Sequence, residues 1–143
     1  MNREHPTRPV VGVGAVILRD DRVLLVRRRR PPRQGQWSLP GGAQELGETV
    51  EEAVRREVRE ETGLELERIE LLTVVDSIQR DPDGRIRYHY TLVDVLGEAA
   101  PGEVRPGDDA CEAAWFPVSE LERLGLWSET LRVIRLAVER RRR

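Results

Sequence analysis

Lysine is absent: all 24 basic residues of this chain are arginine. That excludes a lysine nucleophile and a lysine phosphate clamp, and leaves anion recognition to guanidinium groups and backbone N–H. Cysteine is reduced to Cys111 alone, so no internal disulfide can form and a reducing, cytoplasmic setting is expected. No apolar run is long enough to span a bilayer, and the opening "MNREHPTRPV" lacks the apolar core of a signal peptide. A charge surplus is missing as well. The net charge of −2 gives no general case for a nucleic-acid or membrane partner. What is there is 143 residues, 38% hydrophobic and 35% charged, the make-up of one globular domain with a highly charged surface. The expected domain is 1–143, with 1–8 and 140–143 as flexible tails.

Along the chain, "VVGVGAVIL" from Val10 to Leu18 is a near-continuous apolar run that predicts a buried strand. Asp20 and Asp21 make a turn, and 22–27 returns as a second strand of a hairpin. Residues 28–47 hold seven prolines and glycines, which predicts a long structured loop, and such loops are usually functional. A helix is expected from Thr49 to Thr62, stopped by Gly63. Strands are expected at 71–79, 86–96 and 113–118, and an amphipathic helix at 128–140. Strands interleaved with two main helices predict an α/β fold, a mixed sheet sandwiched between helices.

The first helix lies in "GGAQELGETVEEAVRREVREETGL", and a helical wheel sorts its acids. Val50, Ala53, Val54 and Val58 share one side, and Glu57, Glu60 and Glu61 fall within that arc. The outer face should carry Glu51–Arg55 and Glu52–Arg56 pairs. Three carboxylates in one turn repel each other and are costly to desolvate unless a cation joins them. A hard divalent ion, Mg²⁺ or Mn²⁺, takes such oxygen ligands. The alternative is a frayed helix end with all three acids solvated. The "LPGG" and "GE" ahead of the helix bring backbone of minimal bulk to its start, where free N–H groups favour phosphate oxygens. Together they suggest a site that handles phosphate.

Gly42, five residues, Glu48, seven residues, Arg56-Glu57-Val58, one residue, Glu60-Glu61, one residue, Gly63-Leu64 resembles the Nudix box at every defined position. The "GQWSLPGG" lead-in and "EAAWFPVSEL" late in the chain are similar to Nudix domains too. The resemblance implies a three-layer α/β/α fold. It also implies metal-dependent hydrolysis of a nucleoside diphosphate linked to another moiety. By position, Glu57, Glu60 and Glu61 would be the metal-binding glutamates, with the Gly41 carbonyl as a further ligand. Glu48 would assist them, Arg56 would orient them by salt bridging, and Gly42 would shape the loop beside the substrate. A general base would come from a box glutamate or a late loop, where Glu112 leads and Asp108 and Asp109 follow.

Four further positions are candidates for substrate contact. In "RRRR" at 27–30 alternate arginines face opposite sides, so Arg27 with Arg29, or Arg28 with Arg30, could reach substrate. Arg27 and Arg29 are the pair chosen. Trp37 could stack on a base or pack in the core, and His89 could sit in a cleft or at the surface. The expected substrate is ADP-ribose or a related diphosphate. The competing readings are a nucleoside triphosphate pyrophosphatase and a nucleotide sensor without catalysis. A homodimer, common in the family the chain resembles, is expected as an option.

Overall fold

The computed structural model describes residues 3–29, 34–107 and 110–142. Ten elements follow the sequence: β1 (Val10–Arg19), β2 (Arg22–Arg28), β3 (Trp37–Ser38), β4 (Gly41–Ala43), α1 (Val50–Thr62), β5 (Leu66–Arg80), β6 (Ile86–Ala99), β7 (Ala110–Pro117), a 3₁₀ helix (Val118–Leu124) and α2 (Ser128–Arg141). The strands form a mixed sheet in the order β3-β2-β1-β6-β5, with β4 also on β1 and β7 also on β2. The β1–β6 pairing is parallel, and β1 pairs β2 and β4 antiparallel.

The alternation of β1 explains the layers. Val13, Ala15 and Ile17 pack with Ala53, Val54 and Val58 of α1. Val16, on the other face, packs with Val133, Ile134 and Ala137 of α2. A strand covered by a helix on each side must be apolar throughout, which is why "VVGVGAVIL" shows no alternation. Each fully buried valine, leucine or isoleucine contributes about 1.5–3 kcal/mol, so these two seams hold the sandwich together. The expected α/β/α architecture is the observed one.

Helix α1 is bounded as its sequence dictates. Thr49 and Glu52 form a reciprocal capping box, and Gly63 ends the helix at φ +77° with its N–H on the Arg59 carbonyl. Such a cap stabilises a helix by about 1 kcal/mol. It also corrects one pairing. Glu51–Arg55 forms at 3.1 Å, but Glu52 is spent on the cap, and Arg56 turns to other acids.

The long loop hides two short strands, β3 and β4, which carry the chain back across β2 and β1. The stretches expected to be tails make contacts where they are described. His5 lies 2.6 Å from Asp81, and Tyr88 donates to Glu4. At the other end Arg140 meets Glu70 and Arg141 donates to the Asp20 carbonyl. Among the described residues no helix is long and apolar enough to cross a membrane.

Candidate functional site

Between α1, the β3–β4 loop, the sheet and the start of α2 lies a cleft of about 780 Å³. Glu57, Glu60, Glu61, Gly41 and Gly42 all line it, so the sequence-predicted glutamates do converge on one space. They are not alike. Glu61 is 2% exposed, accepting from the Gly41 N–H at 2.6 Å and from Arg28 at 2.8 Å. Glu57 is largely covered and accepts from Arg56 at 2.7 Å. The side chain of Glu60 is 40% exposed, 3.3 Å from Arg56.

Gly42 is what lets Glu57 sit there. A Cβ at position 42 would come within 2.6 Å of the Glu57 carboxylate and push it aside. Gly41 is more tightly constrained, since a Cβ there would lie 2.0 Å from the Val13 carbonyl oxygen. The glycines of "LPGG" therefore serve as seats for the strand and the carboxylate of neighbouring elements.

Arg56 is the hub of the acid cluster. It donates to Glu48 at 2.6 and 2.9 Å, to Glu57, and to the Ala43 carbonyl at 3.0 Å. The Arg56 hydrogen bond, aided by the Glu45 N–H, lowers the Glu48 carboxyl to about 2. The same Glu48 contact raises the Arg56 pKa further above its ordinary value. Arg56 thus ties Glu48, Glu57 and the Ala43 carbonyl together at the start of the cleft wall.

A second arginine does comparable work, and it is not the one chosen from the sequence. Arg28 donates to the Ser38 hydroxyl at 2.9 Å, the Gly41 carbonyl at 3.0 Å, Glu61 at 2.8 Å and the Leu39 carbonyl at 2.8 Å. It lines the cleft. Arg27, one residue earlier, points the other way to pair with Glu112 at 2.5 Å. Its guanidinium also lies 5.3 Å from the Trp37 ring centroid. Arg29 is exposed beyond the end of β2 and is not among the cleft residues. Strand alternation separated the two sets correctly, but the set facing the cleft is that of Arg28. Arg30 lies outside the described residues.

The other candidates are also placed. Glu112 pairs with Arg27 across β2 and β7 and is absent from the cleft lining, and Asp108 and Asp109 fall outside the described residues. Trp37 meets Phe116 edge-on at 4.9 Å in the α2-side core. Tyr90, Leu92 and Asp94 of β6 line the cleft, so alternation puts His89 on the opposite face. Arg28 is an alternative weighed in the sequence and not chosen, and Asp94 is a cleft acid that the sequence reading does not single out.

Among the described residues no three acidic, histidine or cysteine side chains are gathered as a ready-made metal site. The arginines supply the neutralising charge instead. The donor set nevertheless fits a hard divalent ion. Three glutamates and Gly41 border one opening, and a Cβ-free seat lies against one of those carboxylates.

The NUDIX domain model matches residues 8–137. The chain belongs to that family. A curated ADP-ribose pyrophosphatase of Methanocaldococcus jannaschii is 43% identical over 123 residues, covering 86% of this chain and 70% of the relative. The MutT NUDIX hydrolase of Burkholderia pseudomallei is 39% identical with a TM-score of 0.79, covering 90% of this chain and 98% of that one. The NUDIX domain of Shewanella oneidensis NrtR, solved with ADP ribose, has a TM-score of 0.78 at 27% identity, covering 94% and 90%. With the Nudix fold established, the box glutamates occupy the turn of α1 that faces the cleft.

Proposed function

We propose that this Nudix hydrolase cleaves the pyrophosphate bond of ADP-ribose or a related nucleoside diphosphate compound, in a reaction that needs Mg²⁺ or Mn²⁺. The observation that carries the reading is the convergence of Glu57, Glu60, Glu61 and Gly41 on one cleft. The identity to an ADP-ribose pyrophosphatase and the fold likeness to a domain crystallised with ADP ribose support the substrate class.

Glu57, Glu60, Glu61 and the Gly41 carbonyl would hold the ion. Bound there, it would offset pyrophosphate charge and lower the pKa of water. The chain's own part is alignment. Arg56 fixes Glu57 against Gly42, Arg28 fixes Glu61 against β4, and both keep guanidinium charge beside the departing phosphate. Water oxygen bonds to phosphorus as the bridging oxygen leaves, and AMP and ribose 5-phosphate result from ADP-ribose. The water's proton passes to a box carboxylate, since Glu112 is tied to Arg27 outside the cleft.

The test is hydrolysis of a panel of ADP-ribose, NADH, diadenosine polyphosphates, the dNTPs, 8-oxo-dGTP and capped or triphosphorylated RNA, with and without each ion. ADP-ribose should lead by tenfold or more, and only with metal. A dNTP in first place would transfer the site to triphosphate cleavage. No turnover on any compound would make the protein a nucleotide sensor.

A further inference from the structure

Outside the Nudix box the cleft holds another acid. Asp94 lies in the apolar run "TLVDVL" of β6 and is only 6% exposed. The parallel register puts it beside Gly14 of β1, and the antiparallel register puts Gly14 beside Gly41 of β4. Asp94, Gly14 and Gly41 therefore form one row across three strands, and two strand spacings separate Asp94 from Gly41 by about 10 Å, Cα to Cα. Gly14 gives Asp94 its seat. A Cβ there would lie 2.6 Å from Asp94 Oδ1, the same separation that Gly42 avoids with Glu57.

Buried polar groups are normally hydrogen-bonded, because leaving one dry and unpaired is costly. Among the described residues no donor hydrogen-bonds to the Asp94 carboxylate, and Arg132 acts on it only through space. Asp94 instead lines the cleft, as do Ser77, Tyr90 and Thr130. Such an acceptor repels phosphate and takes neutral O–H or N–H donors. A vicinal diol offers two hydroxyls to its two oxygens. A ribose attached to a phosphate at the box glutamates reaches along the Gly41–Gly14–Asp94 row.

We propose that Asp94, seated on Gly14, recognises the substrate by accepting hydrogen bonds from the vicinal hydroxyls of a ribosyl group. This rests on the diphosphate reading above. The diol belongs either to the adenosine ribose or to the second ribose, and the two are separable.

The experiment measures dissociation constants by calorimetry, with Ca²⁺ replacing Mg²⁺, for ADP-ribose and three analogues. One lacks the adenosine 2′-hydroxyl, one lacks the terminal 2″-hydroxyl, and the third carries inosine and so lacks the 6-amino group. Wild type should prefer ADP-ribose to one deoxy analogue by about tenfold or more, the worth of a hydrogen bond to a charged group. Which analogue suffers identifies the ribose. Asp94→Ala should bring that ratio near one, and Asp94→Asn should shrink it. Gly14→Ala, which displaces the carboxylate without removing it, should do the same and carries the test if Asp94→Ala fails to fold. An unchanged ratio in these variants overturns the proposal, as does discrimination that falls on the inosine analogue instead. Hydrolysis of ADP-ribose measured alongside with Mg²⁺ separates the two readings. Turnover with an unchanged ratio sinks the Asp94 assignment alone. A ratio that collapses without any turnover in wild type sinks the hydrolase reading alone.

Discussion

Glu57 and Asp94 sit over glycines in the same cleft, and the protein treats them in opposite ways. Glu57 lies against Gly42 with Arg56 at 2.7 Å, inside a cluster where that arginine also binds Glu48 and approaches Glu60. Asp94 lies against Gly14 with no such donor among the described residues, and burial pushes its carboxyl up to about 6. On the function proposed above, a carboxylate hydrogen-bonded to a guanidinium group stands ready for a metal ion and a pyrophosphate. A carboxylate buried without a donor destabilises the free protein, and strain of that kind is retained where a ligand relieves it. On the two readings proposed above, the difference divides the cleft into an end for chemistry and an end for recognition.

The largest effects should come from the first end. Glu57→Gln or Glu60→Gln should cut turnover by about a hundredfold or more while circular dichroism stays native, because each removes a ligand charge and little packing. Retained turnover in both would end the metal assignment. Gly42→Ala should cost about 10–100-fold in turnover or metal affinity, the usual toll of displacing an oriented ligand. Manganese titration followed by electron paramagnetic resonance would read it, and unchanged affinity would show that Glu57 needs no seat.

Stability should respond next. Arg28→Ala removes a guanidinium 2.8 Å from Glu61, which is 2% exposed. Urea unfolding should show a loss of about 2–4 kcal/mol, with neutral behaviour meaning that Glu61 rehydrates freely. Asp94→Asn should act in the opposite direction. Because its folded pKa is raised to about 6, ionised Asp94 costs stability as pH rises through 4 to 6 and none below that window. The amide should therefore stabilise the protein by about 2–3 kcal/mol at pH 7.5 and by little at pH 4. Arg132 and the ionisable groups of the cleft nearby, Tyr90 and Glu129, remain in both forms. Equal melting shifts at the two pH values would contradict this account of Asp94. The smallest effect belongs to Glu112→Gln, which should change turnover by less than about threefold, within the range of ordinary surface substitutions.

Much of the first end was legible in the sequence, since helix caps, wheel positions and the box spacing are all local. Thr49, Glu52 and Gly63 set the bounds of α1, and the wheel brought Glu57, Glu60 and Glu61 to one side. β3 and β4 were not legible, because two or three residues in a glycine-proline loop show no periodicity. The choice between Arg27 and Arg28 depends on which face of β2 meets the cleft, and a register shift between those residues opposite β7 adds to the ambiguity. The Asp94 seat depends on a parallel pairing between strands far apart in the chain, and no local pattern encodes it. One signal was present even so. An aspartate inside "TLVDVL" stands where strands disfavour it, and a buried charge in an apolar run calls for a reason.

The proposed reaction has the box acids cleave a diphosphate with the help of a divalent ion. Wild type and Glu57→Gln should be compared for release of AMP and ribose 5-phosphate from ADP-ribose, with Mg²⁺ and with chelator. The account predicts equimolar products from wild type with Mg²⁺ alone and about a hundredfold less from the variant. Equal rates from the two proteins, or full activity in chelator, would contradict it.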